Sequence, residues 1–207
     1  MPSPSPRPPL VNGEIYHIVI RAVEGLKLFC DEKDYFRMIS NLFAFNNIHP
    51  ISSTHRWQAN KLPLGSFPAK IRERKLLVEI LAFSLMPNHV HLLVKQIREG
   101  GISKFMRKIG AGYSAYYNQK HKRVGHVFQG RHKIVHITND NQLKAVFVYI
   151  HTNPVAIIFP KWKEKGINNL KEAISFLESY KWSSYPDYLG SKNFPSVTFR
   201  DFLIQTM

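Results

Sequence analysis

The sequence predicts an α+β fold in which helices pack on one central, mostly antiparallel sheet. Three observations carry that reading. Short β-branched runs alternate with stretches of helical period in the order β-α-β-β-α-β-α. Two neighbouring runs, on either side of Met86-Pro87-Asn88, are close enough to form a hairpin. Apolar residues make up 44% of the 207 and charged residues 21%, a composition able to bury its own core.

Residues 1–12 begin Met-Pro-Ser-Pro-Ser-Pro-Arg-Pro-Pro and read as a disordered, Pro-rich lead. Ile15 to Ile20 is rich in β-branched residues and predicts a strand. Asp31 and Asp34 open a helix with Phe36, Ile39, Leu42 and Phe43 at helical spacing. Residues 46–72 show no period and read as a loop or insertion. Leu76 to Leu85 and His89 to Lys95 are the hairpin strands, since Pro87 is excluded from a central strand. A helix follows from Ile102 to about Gln119, with Ile102, Phe105, Met106, Ile109 and Tyr116 inward. His126 to Ile137 predicts a fourth strand. Asn139-Asp140 caps a helix with Leu143, Val146, Phe147 and Ile150 on its core stripe, ended by Asn153-Pro154. Residues 161–207 read as a tail that packs on or extends the main domain (residues 13–160), with a helix near Asn169 to Ser179 and a short segment from Phe199 to Ile204.

Twenty-nine Lys+Arg against fourteen Asp+Glu leave a net charge of +15. Such an excess points to a polyanionic partner. The longest apolar run, Leu76 to Met86, falls well short of the roughly 20 residues of a membrane helix, and the N-terminus has no signal-peptide core. With a lone Cys30, which rules out a disulfide scaffold, the expected setting is the cytoplasm, with no membrane partner, and nucleic acid is the favoured polyanion. Residues 101–139 hold no acid but contain Lys104, Arg107, Lys108, Lys120, Lys122, Arg123, Arg131 and Lys133. Phe105, Tyr113, Tyr116, Tyr117 and Phe128 interleave with them, a pattern suited to single-stranded nucleic acid. A solvated helix face with core aromatics is the plainer account, and it is favoured for Phe105 and Tyr116.

Two constellations could carry chemistry. His89 and His91 stand two apart in a strand and share a face, as a metal-binding pair does and as two ordinary sheet histidines also would. Tyr149 lies beside the apolar stripe of its helix, with Asn153 four residues on and on the same face. A half-buried, hydrogen-bonded tyrosine would look the same, and there are nine tyrosines.

Met86-Pro-Asn-His-Val-His-Leu-Leu-Val94, Gly125-His-Val-Phe-Gln-Gly-Arg-His-Lys133, Tyr149-Ile-His-Thr-Asn-Pro-Val155 and Lys181-Trp-Ser-Ser-Tyr185, in this order, resemble the HUH-type single-tyrosine transposases, closest to their REP-associated branch. The resemblance implies a ferredoxin-like or RRM-like HUH fold with its catalytic domain at residues 13–160. It implies Tyr149 as nucleophile, His89, His91 and Asn153 as ligands of a divalent metal (Mg²⁺ or Mn²⁺), and hairpin-bearing single-stranded DNA as partner, a REP-like element or an insertion-sequence end. The implied reaction cleaves and rejoins the strand through a 5′-phosphotyrosine link, with the protein a monomer or homodimer. Ala156-Ile-Ile158 and His132 depart from the family, which commonly has a basic residue followed by Ala-Gly at the first place and an aromatic at the second. His151 and Lys133 are candidate general bases for Tyr149. The alternative function is a domesticated DNA- or RNA-binding protein without strand transfer; a replication-initiator or relaxase would need domains for which the chain has no room.

Overall fold

The computed structural model describes residues 7–50 and 74–206, so part of the 46–72 loop, together with the first six residues, lies outside the described residues. The elements run β1 (Ile15–Arg21), α1 (Glu32–Phe45), β2 (Val78–Met86), β3 (His89–Gln96), α2 (Gly101–Lys120), β4 (Lys133–Ile137) and α3 (Asp140–Thr152). A 3₁₀ turn (Asn153–Ile157) continues α3, and the tail adds α4 (Trp162–Lys165), α5 (Leu170–Ser179), α6 (Tyr185–Tyr188) and α7 (Asp201–Thr206).

The four strands form one antiparallel sheet in the order β2-β3-β1-β4. Alternation divides its side chains between two faces. Tyr16, Ile18, Ile20, Val90, Leu92 and Val94 belong to the larger core, with Leu42 of α1 and Phe105 and Ile109 of α2. On the opposite face Leu81, Ala82, Leu93 and Ile137 pack with Leu143 and Ile150 of α3 and Leu203 of α7. The sheet is thus covered on both sides, with α3 and α7 packed on the face that carries the histidines.

Local chemistry explains the ends of the elements. Asp31 caps α1 by accepting from the Asp34 amide at 3.1 Å, and Asn139 caps α3 by accepting from Gln142 at 2.9 Å. Buried Asn46 closes α1 and starts β2: its Oδ1 accepts from the Leu77 and Val78 amides, and its Nδ2 donates to the Val78 carbonyl. At Gly112 the helices α1 and α2 meet so closely that a Cβ would run into the Phe45 ring.

The tail is bound into the domain. Leu85 donates to the Trp182 carbonyl at 2.9 Å, and Ser184 Oγ accepts from the Phe83 amide at 2.9 Å, which covers the outer edge of β2. Trp182 stacks on Tyr35 at 4.4 Å, and Phe194 and Val197 join the main core. At the other end the lead is tied down from Pro9 onward: the Tyr16 hydroxyl donates to the Pro9 carbonyl and accepts from the Val11 amide.

Two sequence expectations need correction. The fourth strand is confined to Lys133–Ile137; Gly125 and Gly130 both take positive φ, at 100° and 57°, and break residues 126–132 into a loop that meets the end of β1 through an Ala22–Phe128 bridge and the Gln129 amide's bond to the Arg21 carbonyl. On α2 the fully inward tyrosines are Tyr113 and Tyr117, while Tyr116 is half-buried and donates to Asp34.

Candidate active site

The β3 register sets His89 opposite Met86 and Arg21, and His91 opposite Ser84 and Val19, so both imidazoles stand on the α3 face. Their ring centroids are 4.9 Å apart. α3 lays Tyr149 across this row, its ring perpendicular to that of His91 at 5.4 Å. Asn153 keeps a right-handed helical backbone despite the following proline, and its N–H donates to the Tyr149 carbonyl. Its side chain therefore stays one turn from Tyr149, buried, with Nδ2 3.2 Å from His89 Nε2. Tyr149, His89, His91 and Asn153, separate in the chain, are gathered in one place.

A fifth residue completes the group and was missed from the sequence. His17 Nε2 lies 2.9 Å from His91 Nδ1; the two rings stack at 5.1 Å, and the His17 ring is 6.1 Å from Tyr149. The signal was present in the alternation of β1: Tyr16 and Ile18 are fully buried in the larger core, which turns His17 to the opposite face. Lys163 of α4 is also new, its Nζ 4.3 Å from the centre of the Tyr149 ring.

The electrostatics favour neutral imidazoles. Burial lowers all three: His17 to about 4, with help from the charge of Lys133; His89 to about 4, with help from Arg21 and Lys163; His91 to about 2, with help from the neighbouring histidines and the same cations. His89 Nδ1 donates to Asn88 Oδ1 at 2.6 Å, which leaves its Nε2 lone pair on the side of Asn153. His91 Nε2 is buried and has no hydrogen-bond partner. Two imidazole nitrogens and a carboxamide, with one nitrogen orphaned, fit a divalent metal of the first transition row.

Among the described residues Cys30, Asp34 and His121 also bring ligand atoms within 4.8 Å of one another. Asp34 is fully buried and already engaged there by Lys120 at 2.7 Å, Tyr116 at 2.9 Å and the Cys30 amide at 2.9 Å. That group is a structural node joining α1 to α2.

Residues 64–153 match the family model described as "Transposase IS200 like". Over that segment the chain is similar to the IS200-like transposases. The matched segment contains His89, His91, Tyr149 and Asn153, while His17 and Lys163 fall outside it. No curated protein matches the chain. Among solved structures, a REP-associated tyrosine transposase bound to a REP hairpin shares the fold: TM-score 0.57 over 96% of this chain and 93% of that one, at 13% identity.

The basic stretch at residues 101–139 is divided in its uses. Lys108 donates to the carbonyls of Asn47 and His49 at the end of α1, and Lys120 forms ion pairs with Asp31 and Asp34. Arg123 lies 6.0 Å from the Tyr117 ring. Arg107, Lys122, Arg131 and Lys133 are exposed and Lys104 is half-exposed. Lys133 pairs with Val19, one strand over from His91, on the histidine face. Phe105, Tyr113 and Tyr117 are core residues, and this leaves half-buried Phe128 as the ring nearest the surface of this stretch apart from Tyr116. His151 does not face Tyr149: its Nε2 lies 2.8 Å from Ser184 Oγ, and its ring packs among Phe147, Tyr185 and Tyr188.

Proposed function

We propose that the protein is a DNA transposase that cleaves and rejoins single-stranded DNA at hairpin-flanked sites, with Tyr149 as nucleophile and a divalent metal, Mg²⁺ or Mn²⁺, held by His89, His91 and Asn153. The observation that carries this reading is the convergence of the phenol, the two imidazoles and the carboxamide on one sheet face, inside the segment that matches the transposase family.

In the forward step the Tyr149 oxygen attacks the scissile phosphorus, the P–O3′ bond breaks, and the freed 3′ oxygen takes up a proton as the phenol gives one up. The return step is the mirror of the first. A 3′-hydroxyl attacks the phosphotyrosine, the P–O bond to Tyr149 breaks, and the phenol is restored, so no external energy source is consumed. A bound divalent cation would supply charge stabilisation at the phosphate oxygens. His89 and His91, neutral at pH 7, offer lone pairs without competing protons. Asn153 holds its carboxamide beside His89, and Lys163 places a positive charge against the tyrosine ring, where negative charge passes during attack. His17 acts through His91, not on the substrate.

The neighbour's REP hairpin motivates a hairpin-bearing strand as substrate. Incubation of the full chain with a labelled hairpin carrying unpaired flanks, with Mn²⁺, Mg²⁺ or chelator, tests the reading. Metal-dependent nicking that His89→Ala abolishes is expected. Tight binding without nicking, across several hairpins and both metals, would instead favour a domesticated binding protein.

A further inference from the structure

We propose that a basic cleft between α2 and the 128–132 loop seats one unpaired nucleotide of the bound strand, its phosphate on Arg107 and Arg131 and its base between Phe128 and His132; this rests on the single-stranded DNA reading above. The cleft encloses about 280 Å³. Arg7, Arg107, Arg131 and His132 line it, and no carboxylate does. The apolar part of the wall comes from Ile20, Met106 and Phe128. A site with guanidinium groups and an apolar wall fits a ligand that is anionic at one end and flat and apolar at the other. Its volume suits a single nucleotide and is too small for a duplex.

Further details favour an occupant. Arg7 is held across the cleft by donating to the His132 carbonyl at 3.0 Å, so the N-terminal lead forms part of the wall. His132 Nε2 is buried with no hydrogen-bond partner, an unmet polar atom on a residue that lines the cleft. Gly110, on α2, has open space where a Cβ would stand. The cleft is also connected to the catalytic face: His132 lines it, and the next residue, Lys133, begins β4 and pairs with Val19 in the row of His91. A nucleotide seated there is held by the loop that leads into the histidine face, where it can set which bases flank the cut.

The test is fluorescence anisotropy of a labelled, unpaired oligonucleotide at fixed salt with the full chain, Gly110→Leu and His132→Ala. Gly110→Leu fills the cleft without changing charge, and an unchanged thermal midpoint verifies its fold. Both variants should bind roughly tenfold more weakly than the parent. One abasic position in the oligonucleotide should weaken the parent and leave Gly110→Leu unaffected. Parental affinity in both variants overturns the cleft while the DNA reading stands. Displacement of the strand by micromolar deoxynucleoside monophosphate overturns it in favour of a free nucleotide. A parent that binds no single strand removes both readings.

Discussion

His17 Nε2 and His91 Nδ1 lie 2.9 Å apart, and this one contact couples the protonation of two histidines on neighbouring strands. One nitrogen must donate and the other accept. If His91 Nδ1 donates, its orphaned Nε2 presents a lone pair to the space beside Tyr149. A hydrogen bond to the far nitrogen of a metal-bound histidine fixes its tautomer and orientation.

His17→Ala should therefore weaken Mn²⁺ binding by roughly 10- to 100-fold, read by titration of free Mn²⁺ with electron paramagnetic resonance. Single-strand affinity at fixed salt should hardly change. His17→Gln, which retains an acceptor, should recover part of the metal affinity. Metal binding equal to the parent's in His17→Ala would show that the contact is packing alone.

Lys120 illustrates how a basic residue can belong to the fold. It bridges Asp31 and the fully buried Asp34, with its own side chain 24% exposed. Lys120→Met leaves a buried carboxylate without its cation and should cost about 2 kcal/mol, less than for a fully enclosed pair. Thermal or urea unfolding measures this. The salt dependence of DNA binding should be unaltered; a slope reduced by about one unit would place Lys120 on a phosphate instead.

Acid should destabilise the protein through its histidines. Burial lowers His151 to about 3, against a Phe147 backbone contact that favours its charge, and lowers His91 to about 2. Both folded values lie below the ordinary value of 6.5, so as the pH falls the unfolded chain takes up protons first. Stability is therefore complete above about pH 6.5 and is lost progressively below it, by up to about 2 kcal/mol per group at pH 5. A metal-free thermal midpoint that falls from pH 7 to pH 5 is expected, and one that rises would contradict these neutral, buried imidazoles.

Much of the site was legible because local geometry sufficed. His89 and His91 share a face through strand alternation, and Tyr149 and Asn153 through helix spacing, even though a proline follows Asn153. His17 was hidden because only the β1–β3 register brings it to His91, from 74 positions away. Lys163 was hidden for the same reason: the backbone path after the 3₁₀ turn, and no periodic pattern, carries α4 back over Tyr149. Sequence shows a charge but not its partner, so Lys108 and Lys120, which are turned toward α1, look there like the exposed Arg107 and Arg131. Val127 and Phe128 gave residues 126–132 an apolar look, yet two glycines with positive φ bend the chain out of the sheet there.

The central claim is that Tyr149 becomes covalently joined to DNA. The full chain and Tyr149→Phe are incubated with hairpin-bearing single-stranded DNA and Mn²⁺, denatured, and the adduct is digested and mapped by mass spectrometry. The account predicts a 5′-phosphate on the Tyr149 peptide from the parent and no adduct from Tyr149→Phe. An adduct that forms equally well in Tyr149→Phe, or that maps to another tyrosine, would contradict it.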